Sequence, residues 1–118
     1  MMAKTYSRPP KAPEAHRKFE AKVAKAQRTG TKIKVADMPR REMVIFYYEK
    51  KGYRVVPGAT RKYVTMEKAG QEDKLFVGGK GGVMIGRNIS SAFSRIIDYK
   101  ILRQWINTYL QQHQGVNR

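Results

Sequence analysis

The spacing of apolar residues changes at Gly52, and this change limits the chain to a mixed fold. Before Gly52, apolar side chains such as Met43, Phe46 and Tyr47 recur at the three- and four-residue steps of a helix. After it, apolar and polar residues alternate with the two-residue period of a strand. The pattern predicts a helix over about residues 39–51, opened by an Asp-Met-Pro sequence and ended by the glycine.

Short strands are predicted downstream of this helix. The segments 53–56, 61–66 and 74–77 are each predicted to form a strand, and residues typical of turns separate them. The segment 61–66 alternates. The apolar run 83–86 follows a Gly-Gly-Lys-Gly-Gly sequence. It predicts either a fourth strand that closes a hairpin or an irregular connection, and we favour the hairpin.

The last third of the chain carries the widest apolar face. Phe93, Ile97, Ile101 and Trp105 recur at four-residue steps and predict a helix over about 91–112, opened by an Asn or Ser cap. Because no other segment supplies so much apolar area, this helix is expected to cover the sheet, with Trp105 in the core. The predicted fold class is α+β, a small antiparallel sheet of three or four strands covered by a long C-terminal helix, in helix–strands–helix order.

The N-terminal third is the most basic part of the chain. The 118 residues contain 25 Lys and Arg and 9 Asp and Glu, which gives a formal charge of +16. Prolines at 9, 10 and 13 predict an extended arm, and the Ala-, Lys- and Glu-rich stretch 14–28 predicts an amphipathic helix with a narrow apolar stripe. We therefore expect a basic arm and helix over 1–38 and a compact α+β core domain over 39–118.

Composition narrows the classes of function. So large a positive charge predicts an anionic partner. The absence of cysteine excludes a disulfide framework, a cysteine-ligated zinc and a cysteine nucleophile. The longest apolar run, 43–48, is too short to span a membrane, and the basic N-terminus lacks the apolar segment of a secretory signal. We expect a cytoplasmic or virion-associated protein without membrane contact.

The usual catalytic and metal-binding patterns do not occur in the sequence. Neither His16 nor His113 has a carboxylate at a spacing that suggests a dyad, so both are predicted to be surface residues. No run of His, Asp or Glu has metal-ligand spacing, and the glycine segment 78–82 has neither the P-loop ending nor the dinucleotide-binding frame. The prediction is a protein that is not an enzyme and uses no cofactor or metal.

Basic residues with tyrosines between them indicate where an anion would bind. The glycine segment is interpreted first as a hairpin turn. The alternative is a loop whose N–H groups approach phosphate together with nearby cations, beside a helix start at 88–91. Tyr53 and Tyr63 suit base stacking, although half-buried strand residues are the simpler interpretation. The predicted nucleic-acid-binding residues are Arg17, Lys18, Lys22, Lys25, Arg28, Arg54, Arg61, Lys62, Lys80 and Arg87.

The order of predicted elements over 41–112 resembles two related families. It is similar to the α-β-β-β-α arrangement of double-stranded-RNA-binding domains and of the small messenger-RNA-cleaving toxins of the hic type. The pieces that carry the resemblance are the helix end Glu-Lys-Lys-Gly-Tyr at 49–53, the strands 61–66 and 74–77, and the Arg87-Asn88 opening of the last helix. The toxins carry a histidine in a Gly-Ser-His run on the second strand, where this chain reads Gly-Ala-Thr-Arg at 58–61. The small size, basic arm and glycine-rich hairpin also resemble small basic bacteriophage proteins.

Three functions from different classes follow from these observations. The first hypothesis is a nucleic-acid-binding protein, for DNA or RNA, that neutralises the phosphate backbone and is of phage or mobile-element type. The alternatives are a structural or assembly protein of a virion or ribonucleoprotein, and a small ribonuclease-type enzyme. The assembly alternative predicts a homo-oligomer, and the enzyme alternative requires an activated acid or base.

Overall fold

The computed structural model describes residues 11–31, 33–58 and 61–116. Residues 1–10 of the predicted arm lie outside the described residues. The helices and strands, in chain order, are α1 (Ala12–Thr29), α2 (Arg40–Lys50), β1 (Arg54–Val56), β2 (Tyr63–Glu67), β3 (Lys74–Gly78), β4 (Val83–Gly86), β5 (Phe93–Arg95) and α3 (Tyr99–Val116). Short 3₁₀ turns at Val35–Asp37 and Ile89–Ser91 precede α2 and β5.

The five strands form one antiparallel sheet in the order in which they occur along the chain. Each strand pairs with the next, so that Val56 lies opposite Thr65, Tyr63 opposite Gly78 and Val77 opposite Val83. The α+β class and the C-terminal helix after the strands are confirmed. The predicted number of strands is wrong, because the sheet has five rather than three or four.

The additional strand, β5, occupies residues that the sequence assigned to the last helix. Ser94 pairs with Met84 on β4, and the backbone stays extended. The side chain of Asp98 then accepts hydrogen bonds from the N–H groups of Lys100 (3.1 Å) and Ile101 (3.2 Å). A cap of this kind fixes the first turn of a helix. Helix α3 therefore begins at Tyr99.

Helix α2 covers the sheet together with α3, although the prediction assigned this role to α3 alone. It contacts β1, β3 and α3, and its side chains from Glu42 to Ile45 are buried, as is Tyr48. Alternate sheet residues, Val64 and Met66 on β2 among them, form one core with α2 and with Leu102 and Ile106 of α3. The apolar content of α2 on several sides explains its central position.

Trp105 packs against this core but is half-buried. Its ring meets Tyr47 edge-on at a centroid distance of 4.9 Å and stacks on Tyr109 at 5.4 Å. The Nζ atom of Lys51 lies 5.7 Å above it. The tryptophan thus belongs to the contact between α2 and α3.

Helix α1 packs on α2 and on β2. Its first residue is tied to the sheet, because the Ala12 N–H donates a hydrogen bond of 3.2 Å to the Arg61 carbonyl. Ala12, His16 and Ala26 are buried along its inner side, and Gly30 ends it with a left-handed φ of 78°. The division of the chain at residue 38 stays a prediction, although α1 contacts the elements that follow it.

Candidate nucleic-acid interface

The five cations predicted on α1 lie on its exposed side. Lys18, Lys22 and Lys25 form one row at helical steps of four and three residues, and all are exposed. Arg17 and Arg28 lie in the adjacent row, eleven residues and about three turns apart. The buried residues of α1 occupy the other side, so the exposed half of the helix carries five cations, with Glu14 of the first turn, paired with Lys11, on the same side.

The glycine segment forms the tight turn between β3 and β4. The Gly78 N–H donates to the Gly82 carbonyl at 2.8 Å, and the Gly81 N–H donates to the Gly78 carbonyl at 3.0 Å. The hairpin interpretation is thus confirmed. The turn is also held from outside, because the Tyr99 hydroxyl donates to the Gly81 carbonyl at 2.6 Å.

The start of α2 packs against this turn. Gly81 is buried with φ of 96°, and a Cβ atom there would lie 2.7 Å from the Cβ of Arg40. The Arg41 guanidinium donates a hydrogen bond of 3.3 Å to the Gly79 carbonyl. The Arg40 guanidinium lies 4.5 Å from the centre of the Tyr99 ring. Glycine is therefore required at position 81 by both conformation and space.

Strand register brings further cations to the same end of the sheet. Tyr63, the first residue of β2, lies opposite Gly78, the last residue of β3. The residues just before β2 therefore lie beside the glycine turn. We call this region the basic end and define it by Arg40, Arg41, Arg61, Lys62 and Lys80. All five are exposed except Arg41, which is half-buried.

The opposite end of the sheet carries both signs of charge. Here Lys74 pairs with Glu67 at 3.5 Å, and Arg87 pairs with Glu72. Arg54 lies opposite Glu67 in the register. We call this region the mixed end and define it by Arg54, Glu67, Glu72, Lys74 and Arg87.

The ten predicted binding residues thus divide into separate groups. Lys80 and Arg87 lie before and after β4, which separates them by about 13 Å along the strand. They do not form one anion site, and the predicted helix start at 88–91 is a three-residue 3₁₀ turn. Arg54 likewise lies apart from Arg61 and Lys62. The structure brings together Arg61, Lys62 and Lys80, and it adds Arg40 and Arg41, which the sequence did not indicate.

Carboxylates near the basic end are engaged in other contacts. Glu42 is 3% exposed, and its carboxylate accepts a hydrogen bond of 2.6 Å from Arg41 Nε. Its other oxygen lies 2.8 Å from His16 Nδ1. Asp98 caps α3. Among the described residues, Arg40, Arg61 and Lys80 form no salt bridge, so their positive charge is available to an anion.

His16 contradicts its predicted place on the surface. It is 5% exposed and forms a buried dyad with Glu42, which lies 26 residues away in the chain. Burial lowers its pKa, but the hydrogen bond to Glu42 and the charges of Glu42, Glu20 and Glu49 outweigh burial, so the pKa is raised above 6.5. No local spacing could have indicated a partner so distant in sequence.

Comparison with known proteins gives no relative. No protein-family model, curated protein or solved structure matches the chain. The order of elements over 41–112 also contains two more strands than the α-β-β-β-α arrangement. A function therefore has to be argued from the charge distribution and the contacts of the site.

The two tyrosines considered for base stacking are half-buried. Tyr53 meets the Tyr48 ring edge-on at 5.5 Å and has the Lys68 Nζ atom 5.8 Å from its centre. Tyr63 meets Phe76 at 6.3 Å. Both rings thus pack against other side chains of the fold. This agrees with their interpretation as half-buried residues.

The described part of the chain contains neither a membrane-spanning helix nor a cluster of metal-binding side chains. No helix there has the length and apolarity that crossing a bilayer requires. No group of three or more His, Asp or Glu side chains there is arranged to hold a metal ion.

Proposed function

We propose that the protein binds nucleic acid through the phosphate backbone, with the basic end and the exposed side of α1 as the binding surface. The observation that carries this proposal is the separation of charge along the sheet. Among the described residues, Arg40, Arg61 and Lys80 form no salt bridge and lie at one end, while the exposed ion pairs Lys74–Glu67 and Arg87–Glu72 lie at the other. A charge excess that served solubility alone would not need this separation.

The basic end and the exposed side of α1 are connected through a backbone hydrogen bond. The Ala12 N–H is bonded to the Arg61 carbonyl, so α1 starts at the basic end and carries its row of cations away from it. Arg17 lies one and a half turns from that anchor, and Arg28 lies near the far end of the helix. A phosphate backbone that follows α1 would meet cations over about 25 Å.

Electrostatic binding of this kind has a measurable signature. Each phosphate neutralised on duplex DNA releases counterions and adds about −0.9 to the slope of log K against log salt. With about six to ten contacts, affinity falls by roughly a thousandfold or more between about 50 and 200 mM salt. Such contacts fix orientation without reading base sequence.

The test is a salt titration of binding to single- and double-stranded DNA and RNA of matched length and sequence. A peptide nucleic acid of the same sequence, which has bases but no phosphates, is the control ligand. We expect a steep salt response on at least one nucleic acid and no measurable binding to the control. A flat salt response, or equal binding to the uncharged control, would exclude the phosphate mechanism. Binding to duplex RNA in this titration also tests the resemblance to double-stranded-RNA-binding domains.

One observation favours the assembly alternative. Phe93 and Ile96 are 68% and 94% exposed, and Ile101 on the first turn of α3 is also exposed. Phe93 belongs to β5, an edge strand of the sheet, and Ile96 follows it directly. Such edges pair readily with other chains. This alternative predicts self-association at high salt, where charge repulsion is screened, and a sizing experiment with Phe93→Ser as the variant tests it. A monomer at every salt concentration would contradict it.

A further inference from the structure

Strand β5 is an edge of the sheet with one free side. It pairs with β4, and the described part of the chain contains no further backbone hydrogen bond of this strand. All three of its residues, Phe93, Ser94 and Arg95, are exposed. The N–H and C=O groups along such an edge are able to pair with another extended chain.

An apolar patch lies beside this edge. Phe93, Ile96 and Ile101 are the three most exposed of the large apolar side chains that the structure describes. Ile96 and Ile101 line one cavity together with Arg95. Phe93 lies on the same face of β5 as Arg95, because alternate residues of a strand share a face. The three side chains therefore form one surface, and exposed apolar surfaces of this kind mark contact sites.

The cavity beside β5 has a volume of about 220 Å³. Residues of α2, β5 and α3 line it, among them Tyr47, Tyr48 and Trp105. This volume is below the range of about 300–1,000 Å³ that is typical of small-molecule sites, and it suits one bulky side chain of a partner. Strand addition uses the same combination, because main-chain hydrogen bonds at the edge give affinity and pockets for side chains give specificity.

The charges around the cavity are mainly positive. Arg95 lines it and forms no salt bridge among the described residues, and the Lys51 Nζ atom lies 5.7 Å from the centre of the Trp105 ring. Asp98 supplies the one carboxylate of the lining, which accepts hydrogen bonds from two N–H groups of α3. Arg95 lies opposite Val83, which follows the glycine turn, so the cavity adjoins the basic end. These charges complement an acidic partner, whereas a second copy would bring a further +16.

We propose that β5 and this cavity bind an extended acidic segment of another protein. The segment adds to β5 as a sixth strand, places an apolar side chain in the cavity and holds a carboxylate near Arg95. The proposal does not rest on nucleic-acid binding. A free strand edge recognises a peptide backbone, and the exposed side chains beside it are mainly aliphatic, whereas nucleobases bind by stacking on aromatic faces.

The test measures binding through the fluorescence of Trp105, the only tryptophan of the chain. The probe is a peptide of about ten residues with blocked ends, in which glutamates flank central valines. One control peptide has lysines in place of the glutamates. A second control carries N-methyl groups on its central residues, which prevent strand pairing. At low salt we expect a saturable change in emission with the acidic peptide, and binding of both controls that is weaker by about tenfold or more.

Two variants with matched controls locate the bound peptide. Ile101→Ser should weaken binding about tenfold, whereas Ile89→Ser, at an exposed isoleucine of a 3₁₀ turn, should leave it unchanged. Arg95→Gln should weaken binding about threefold, whereas Arg54→Gln, on the other edge strand, should not. Melting curves check that all four variants are folded, and Arg95→Gln decides if Ile101→Ser does not fold.

Other results would overturn the proposal. An unchanged emission, or equal binding of the acidic peptide and either control peptide, would exclude strand addition by an acidic segment. Binding that neither Ile101→Ser nor Arg95→Gln weakens would place the peptide elsewhere, for example at the basic end. If a single-stranded oligonucleotide changes the emission and the peptide does not, the cavity belongs to nucleic acid. If the protein self-associates, Ile101→Ser abolishes this and no peptide binds, the edge belongs to a second copy.

Discussion

The two ends of the sheet are built from similar turns but differ in packing and in charge. At the basic end, the glycine turn between β3 and β4 contacts Arg40, Arg41 and Tyr99 from two helices. At the mixed end, Gly70 lies in the turn between β2 and β3 with open space around it. Packing thus occurs at one end, together with the exposed cations Arg40, Arg61 and Lys80, which form no salt bridge among the described residues. Exposed ion pairs occur at the other end.

The two ends thus differ in whether their charges pair with each other or remain available to bind an anion. Exposed ion pairs such as Arg87–Glu72, whose side chains are about three-quarters exposed, contribute about 0–1 kcal/mol to stability. Their main effect at the mixed end is to cancel charge. At the basic end, the carboxylate of Glu42 is held inside by Arg41 and His16, so it does not neutralise the exposed cations.

The largest effect on stability is expected when each of the two turn glycines, Gly70 and Gly81, is replaced by alanine. Gly81 and Gly70 both have positive φ, 96° and 83°, so alanine strains the backbone at each. Only at Gly81 does the new Cβ atom also meet Arg40, at 2.7 Å. We expect Gly70→Ala to lower the free energy of unfolding by about 1 kcal/mol and Gly81→Ala by about 3 kcal/mol. Denaturant unfolding measures both, and equal losses would show that the turn at the basic end is not packed.

A smaller effect is expected from removing one hydroxyl at each end. Tyr99→Phe deletes the hydrogen bond to the Gly81 carbonyl and should cost about 1 kcal/mol. Tyr53→Phe, next to the mixed end, removes a hydroxyl for which no hydrogen bond is described and should cost less than about 0.5 kcal/mol. Thermal melting of the two variants compares them. A larger loss for Tyr53→Phe would contradict the assigned anchoring of the glycine turn.

The smallest expected effect is on the pH dependence of stability, through the buried dyad of His16 and Glu42. Because the pKa of folded His16 is raised above 6.5, protonation favours the folded state. The stability from this group is complete below about pH 6.5 and is lost as pH rises through the folded pKa. His16→Gln should remove this decline from the stability profile above about pH 6.5, while the control His113→Gln should keep it. An unchanged profile in His16→Gln would show that the dyad does not hold a proton.

The sequence predicts those parts of the fold whose signals are local. Helix α2 is bounded by a proline before it and a glycine after it, β2 alternates, and β3 and β4 are short apolar runs bounded by turn residues, so their positions agree with prediction. Strand β5 has three residues, too few to show a two-residue period, and the Asp98 side chain that caps α3 lies three residues after it. The row of cations on α1 follows from helical spacing alone.

The rest of the site depends on contacts between distant residues. Lys80 and Arg87 are close in sequence, but they lie at opposite ends of a strand. Arg40 and Arg41 reach the glycine turn through tertiary packing. Glu42 and His16 are on different helices. Strand register and helix packing decide these neighbours, and neither can be read from residue spacing.

The most direct test of the account removes the same charge from each end of the sheet. Arg61→Gln with Lys80→Gln removes two positive charges from the basic end, and Lys74→Gln with Arg87→Gln removes two from the mixed end, out of a total of +16. The salt dependence of binding to one duplex is then measured for both variants. We predict that the slope of log K against log salt becomes shallower by about 2 for the basic-end variant and is nearly unchanged for the mixed-end variant. Equal changes in the two slopes would show that total charge, rather than the basic end, binds the phosphates, and would contradict the account.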